Sequence, residues 1–453
     1  MPTVDRALVH ELKQREDARF ADEHPRSLAL LERGRRVMPN GVPMAWQVGS
    51  YHHPPIWAAE GHGARFSDVD GHTYSDFNIA DMSMFCGYAP EPLVRAVSER
   101  MARGHQFLLP VEDAIVVSEE LGRRYGLPKW QYTLSASQAN TEVIRVARVA
   151  TGRDKVMLFD GKYLGHLSEA LVELDPDGRL VAEERGIGRD VVDGTVLVPL
   201  NDPVALAAAL GRRDIAIVLT EPALTNNFGL ILPDPGFHAE LRRLTREAGT
   251  LLALDETHTQ VVGPGGLTAA WGLDPDFVTC GKSIAAGVPF GAWGMTDEIG
   301  AVLTQVKGPD GERSNLIAIG GTLFGNALSL AAARATMLEI LTPAAYASTQ
   351  RLGARLADGM RAAVARVGLP WHIYRLGPRA GYTFRPEPLR NAAEGRAAAD
   401  DLLTRLIRIW LANRGVWEAI VGAGPVASVP AADEDVDAYL AAWSELLDAL
   451  TSS

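Results

Sequence analysis

Cysteine is nearly missing from this chain: Cys86 and Cys280 are the only two in 453 residues, and they lie far apart. That spacing excludes a disulfide framework and a paired-cysteine zinc site, and it fits a reducing compartment. Long apolar runs are missing too. None reaches the roughly 18 residues of a membrane span, and the opening MPTVDRALVHELKQRED lacks the apolar core of a secretory signal. The expectation is a cytoplasmic protein. Basic residues are outweighed, 44 Lys and Arg against 56 Asp and Glu for a net charge of -12, which argues against a nucleic-acid or membrane partner and leaves small molecules. No GxGxxG follows the first strand of the nucleotide-fold-like region, so a nicotinamide-binding dehydrogenase is a weak reading.

What is present is an ordinary globular composition, 47% hydrophobic, at a length suited to two or three domains. Residues 4 to 37 carry apolar positions at helical spacing, and Met38-Pro39-Asn40-Gly41-Val42-Pro43 breaks that pattern. The next loop, Met44 to Trp57, is rich in aromatic residues, Trp46 and Tyr51 among them, that either line a pocket or simply pack. Ala64 to Asn78 alternates around Asp70-Gly71, the signature of a hairpin; its acids lack the spacing of a calcium loop.

From residue 131 to 294 short apolar runs alternate with helical patterns: strands at 131–134, 155–160, 196–200 and 215–221, helices at 136–152, 203–210 and 236–249. This rhythm predicts an α/β fold, a largely parallel sheet covered on both faces. Ser135-Ala136-Ser137-Gln138-Ala139-Asn140 sits where a strand meets a helix. Small residues there aim free N–H groups and the positive helix end at one point, which suits a phosphate, although helix capping by Ser135 is an equal account.

The stretch Leu251 to Gly287 organises the rest. Its apolar run Leu251 to Leu254 delivers Asp255 and Glu256, and a second run, Phe277 to Cys280, ends at Gly281-Lys282. On adjacent parallel strands, one carboxylate and one amine would point into the crevice at the strand ends. The pair is either a structural ion pair or the core of a pyridoxal-phosphate (PLP) site, where the amine forms an imine with the cofactor aldehyde and the acid holds the ring nitrogen protonated.

With these motifs in order, the chain resembles the class III aminotransferases of PLP fold type I, in the branch around glutamate-1-semialdehyde aminomutase and its amino-acid and amine transaminase relatives. The resemblance runs through Ser135-Ala136-Ser137-Gln138-Ala139, Tyr163-Leu164-Gly165, Glu221-Pro222, Asp255-Glu256-Thr257, Gly281-Lys282 and Gly321-Thr322-Leu323-Phe324-Gly325-Asn326. It implies a large domain with a mostly parallel seven-stranded sheet plus a smaller α+β domain, divided as 1–75 (joining the small domain), 76–340 (large) and 341–453 (small).

The same resemblance implies that Lys282 forms the Schiff base and carries the proton, Asp255 pairs with the pyridinium nitrogen, Tyr163 stacks on one ring face and Thr257 touches the other. Ser135, Ala136 and Ser137 would hold the phosphate, Glu221 would sit near the 3-hydroxyl, and Thr322 would reach the phosphate of a partner subunit, which implies a homodimer with shared active sites. Trp46, Tyr51 and Phe85 would shape the substrate pocket. Four departures stand out. Ala136 replaces a glycine, tolerable only where φ is negative. Thr257 replaces the usual valine. His258 could hydrogen-bond Asp255, or merely pack. No basic residue follows Pro43 before His52, where relatives with carboxylate substrates place an arginine; Arg379 and Arg385 are substitutes from elsewhere, or surface arginines. The expected activity is amino transfer between a primary amine or amino acid and a keto acid, with an aminomutase or racemase as the alternative.

Overall fold

A computed structural model describes residues 4–49, 53–175, 177–225, 228–304, 306–307, 313–314, 317–418 and 424–451. The chain forms two compact units, one of Glu91–Tyr346 with Leu389–Glu394, the other of Met1–Pro90, Ala347–Pro388 and Gly395–Ser453. The division at 90/91 places residues 76–90 with the N-terminal segment, whereas the sequence reading assigned them to the large domain.

The larger unit is built on seven strands: β1 Lys129–Thr133, β2 Lys155–Phe159, β3 Thr195–Val198, β4 Ile215–Thr220, β5 Leu251–Asp255, β6 Phe277–Gly281 and β7 Gly291–Met295. They lie in the order β1-β7-β6-β5-β4-β2-β3. Every pair from β6 to β3 is parallel, while β7 runs antiparallel between β6 and β1. All side chains of β4 are buried, as expected of a strand covered on both faces. Helix α1, Ala136–Thr151, lays Val143, Ile144, Val146 and Ala147 into a core with Val156, Leu158, Ile217, Leu219, Ala253 and Phe277. Its apolar positions recur at helical spacing, so one face is buried and the other carries Arg145 and Arg148.

β7 is the strand that sequence reading left as a glycine-rich tract. Glycine is a poor strand former, but two glycines here answer to close packing. A Cβ at Gly291 would stand 2.3 Å from the Ser135 carbonyl oxygen, and one at Gly294 would stand 2.6 Å from the Trp130 ring. The strand fits only because those positions are bare.

In the smaller unit the N-terminal helices span Arg6–Glu23 and Pro25–Gly34. Its core joins Val9 and Leu12 to Leu356, Met360, Trp410 and Trp443. The predicted hairpin is present as antiparallel strands Arg65–Asp68 and Thr73–Asp76. Oδ1 of Asp68 accepts from the N–H groups of Asp70, Gly71 and His72, so the acid closes the turn. Arg379 is 1% exposed, its guanidinium donating to the Gly424 carbonyl and the Met82 sulfur. It is therefore no surface arginine.

Candidate active site

Asp255 ends β5, and Lys282 follows β6 directly. These strands pair in parallel with Asp255 opposite Thr279, so both residues come from the carboxyl end of the sheet, the end that faces the crevice in open α/β folds. Lys282 opens a short 3-10 turn with φ +50°. A residue with a Cβ pays about 1–3 kcal/mol for that left-handed conformation, and such positions cluster at active sites.

Asp255 is buried at 3% exposure. Its Oδ2 accepts from Asn140 Nδ2 at 2.7 Å and its Oδ1 from the Thr257 N–H at 2.9 Å. Asn140 is fixed in turn, donating to the Leu164 carbonyl at 2.8 Å and accepting from Thr279 Oγ1 at 2.6 Å. Burial pushes the Asp255 carboxyl pKa up, and the hydrogen bonds from Thr257 and Asn140 oppose that rise. A cationic N–H set against it would gain from the same low dielectric. The neighbouring acid does different work. Glu256 accepts from Thr259 Oγ1, from the N–H groups of Leu267 and Thr268, and from Thr268 Oγ1, so its carboxylate organises the loop after β5.

Glu221, just past β4, is buried, and burial pushes its pKa up to about 8, with the charge of Asp255 adding to the rise. It accepts from the Tyr163 N–H at 3.3 Å and from Thr225 Oγ1 at 2.7 Å. Lys282 Nζ lies 5.9 Å from the Tyr163 ring centroid. Contacts thus link Tyr163 to Glu221 and to Lys282, while Asp255, bound to Thr257, is coupled to Glu221 and Lys282 through charge. Gln260 joins two strand ends, donating to the carbonyls of Thr257 at 2.8 Å and Gly281 at 2.9 Å.

His258 takes a third course beyond the two readings the sequence left open. Its Nε2 lies 2.6 Å from Lys282 Nζ, and its Nδ1 faces Thr225 Oγ1 at 3.3 Å. Both ring nitrogens are engaged there. Sequence reading could not choose, because His258 adjoins Asp255 along the chain and meets Lys282 only once β6 is laid beside β5. Asn140 was likewise read as part of the small-residue loop without a role; a polar residue on the buried face of a helix was its one signal.

At the start of α1, Ser135 caps the helix by accepting from the Gln138 N–H at 3.3 Å, and Ser137 Oγ accepts from the His166 N–H at 2.9 Å. Each hydroxyl keeps its own hydrogen to donate. Ala136 lies in the helix and is absent from the positive-φ residues, so its Cβ costs nothing. The close approach falls to Gly281 instead, whose added Cβ would stand 3.1 Å from the Ala136 nitrogen. The bare strand end lets β6 close up against the helix N-terminus, where oriented N–H groups and hydroxyls suit a phosphate. Helix N-terminus, buried acid, aromatic ring and amine together match the donor set PLP requires.

Of the remaining candidates, Thr322 is exposed on a turn, its carbonyl accepting from Gln106 Nε2 at 2.6 Å. Trp46 and Phe85 belong to the smaller unit, Trp46 exposed on a helical turn and Phe85 buried. Tyr51 lies outside the described residues. Arg385 faces Glu387 at 3.5 Å.

A mostly parallel sheet with these groups at its carboxyl end defines a PLP-dependent enzyme of fold type I. The family model of aminotransferase class-III matches residues 47–383, and the chain belongs to that family. It is 32% identical over 439 residues to a glutamate-1-semialdehyde 2,1-aminomutase of Sorangium cellulosum, covering 95% of this chain and 98% of that protein. Among solved structures, a glutamate-1-semialdehyde-aminomutase from Pseudomonas aeruginosa PAO1 superposes with a TM-score of 0.94 at 39% identity, covering 99% of each chain. A lysine-to-alanine variant of that enzyme has been solved in complex with PMP. An omega-transaminase from Sphaerobacter thermophilus reaches 0.85 at 28% identity over 94% of this chain and 97% of its own. The family and fold expected from the sequence motifs are borne out, and PLP is the cofactor.

Proposed function

We propose that this enzyme is an aminomutase, moving an amino group between neighbouring carbons of one skeleton, and that its substrate is glutamate-1-semialdehyde or a close amino-carbonyl analogue. The observation that carries this reading is the match across 99% of both chains, at 39% identity, to the Pseudomonas aminomutase. It takes precedence over transamination between two substrates, which the sequence motifs alone favoured.

Bound PLP supplies an electron sink for the carbanion formed beside the nitrogen. The chain's own residues do the rest. Lys282 holds the cofactor and acts as the base and acid that takes and returns a proton at the substrate carbon. Asp255, kept in place by Asn140 and Thr257, holds the ring nitrogen protonated. Ser135, Ala136 and Ser137 grip the phosphate, Tyr163 and Thr257 face the ring, and Glu221 stands by the 3-hydroxyl. Thr322 of one copy serves the phosphate of a second in a homodimer in this reading. Exposed Leu108, Leu109 and Leu323 support such an association.

Incubation of the PLP- or PMP-loaded enzyme with glutamate-1-semialdehyde and no keto acid tests the proposal. The isomer with its nitrogen moved from C2 to C1 is expected, and Lys282→Ala abolishes its formation. One observation favours a second reading: no lysine or arginine occurs between Arg36 and Arg65, so the segment after Pro43 offers no fork for a substrate carboxylate. Turnover of an uncharged amine that needs pyruvate or 2-oxoglutarate would make the enzyme a transaminase and end the aminomutase reading.

A further inference from the structure

His258, Thr225 and Glu221 form a buried line that starts at the reactive amine. Their exposures are 3%, 0% and 3%. Lys282 Nζ lies 2.6 Å from His258 Nε2, His258 Nδ1 lies 3.3 Å from Thr225 Oγ1, and Thr225 Oγ1 lies 2.7 Å from Glu221 Oε2. The polarity of the line is set by its far end. Thr225 has one hydroxyl hydrogen and gives it to Glu221, so its oxygen can only accept from His258. The imidazole therefore carries its hydrogen on Nδ1 and turns the lone pair of Nε2 toward Lys282. Every donor then points the same way, from amine to carboxylate. A histidine that merely packs would not need both nitrogens on one route.

We propose that His258 is a positioning residue for Lys282, which aims the amine and passes its excess proton through Thr225 to Glu221. The transfer balances without any co-reactant. The Lys282 ammonium gives a proton to His258 Nε2, the Nδ1 hydrogen passes to Thr225 Oγ1, and the Thr225 hydrogen passes to the Glu221 carboxylate. One N–H bond is broken at the lysine, one O–H bond is formed at the glutamate, and no electrons change hands. The ionisable groups in this neighbourhood are Lys282, Glu221, Asp255 and Tyr163, whose ring lies nearly parallel to that of His258 with centroids 6.0 Å apart. Burial pushes the Glu221 titration up to about 8, so the accepting carboxylate becomes available as pH rises toward and past that value, which gives the relay its own limb in a pH profile.

The inference rests on Lys282 being the amine that bonds the cofactor, and it holds whether the substrate exchange is within one molecule or between two. Its test needs no substrate. PLP is mixed with the cofactor-free protein over a pH series, and the absorbance change on bonding to Lys282 is followed by stopped flow. His258→Gln is expected to slow that step about 100-fold and to remove the limb of the rate profile centred near pH 8. Thr225→Val removes the same limb with His258 intact, and added imidazole accelerates His258→Ala but not the wild type. Thermal melting shows which variants are folded; should the His258 variants fail to fold, Thr225→Val decides. Rates within threefold of wild type with the limb unchanged would overturn the relay, whatever the outcome with glutamate-1-semialdehyde.

Discussion

Asn140 Nδ2 donates to Asp255 Oδ2 at 2.7 Å, across 115 positions of sequence. The same amide is held by the Leu164 carbonyl and the Thr279 hydroxyl, so it fixes the rotamer of the acid proposed to meet the cofactor ring. Asn140→Ala removes a donor from a buried carboxylate, a loss of about 1–3 kcal/mol. Fluorescence titration should then show PLP binding weakened by about 5–150-fold. An unchanged dissociation constant would mean that Asp255 needs no such support.

Gly281→Ala probes the proposed phosphate site. The added Cβ would crowd the Ala136 nitrogen and the Phe290 carbonyl oxygen, each at 3.1 Å. Overpacking of this kind costs about 1–3 kcal/mol, so the melting temperature should fall by a few degrees. Affinity for PLP should fall by tenfold or more, and affinity for inorganic phosphate with it. Retained phosphate binding would place the anion elsewhere.

Glu256 and Asp255 are adjacent in sequence, yet substitution should separate their roles. Glu256→Ala leaves the donors of Thr259, Leu267 and Thr268 without their buried acceptor, and unfolding in urea should show a loss of at least about 2–3 kcal/mol. Asp255→Ala strips the acceptor from two donors, Asn140 Nδ2 and the Thr257 N–H, against four at Glu256, so it should cost less stability and yet abolish activity. Equal losses of stability in both would contradict this division of labour.

Glu221 makes stability depend on pH in a definite direction. Its carboxyl titrates near 4.5 in the unfolded chain and about 8 in the fold, so between those values the native state binds more protons. Stability contributed by this group is therefore full below pH 4.5 and declines as pH rises toward 8, at up to about 1.4 kcal/mol per unit. Asp76, Asp255 and Glu256 contribute in the same sense and Glu16 and Asp68 in the opposite one, which makes the comparison with Glu221→Gln the useful one. Urea titrations of the variant should show a shallower decline across that window, and parallel slopes would rule out Glu221 as the source.

Local signals carried much of the architecture. The alternation of apolar runs and helical patterns located six of the seven strands and the helix after Ser135, because burial on both faces demands continuous apolar residues and an amphipathic helix demands its own spacing. β7 escaped because Gly291 and Gly294 answer to neighbours, the Ser135 carbonyl and the Trp130 ring, and not to strand propensity. The burial of Arg379 was out of reach for a similar reason: a lone arginine reads more readily as exposed until the segments that bury it are known.

The sequence by itself determined that an acid and an amine, 27 positions apart, would end adjacent strands, and its motif order identified the family. Only the tertiary structure decided how those groups are supported: that Asn140 braces Asp255, that His258 turns to Lys282, and that Gly281 rather than Ala136 is the position that must stay bare. Patterning acts within a few residues along the chain, whereas a buried hydrogen bond is chosen among groups brought together by packing. Its partners can therefore be read only once the strands are laid side by side.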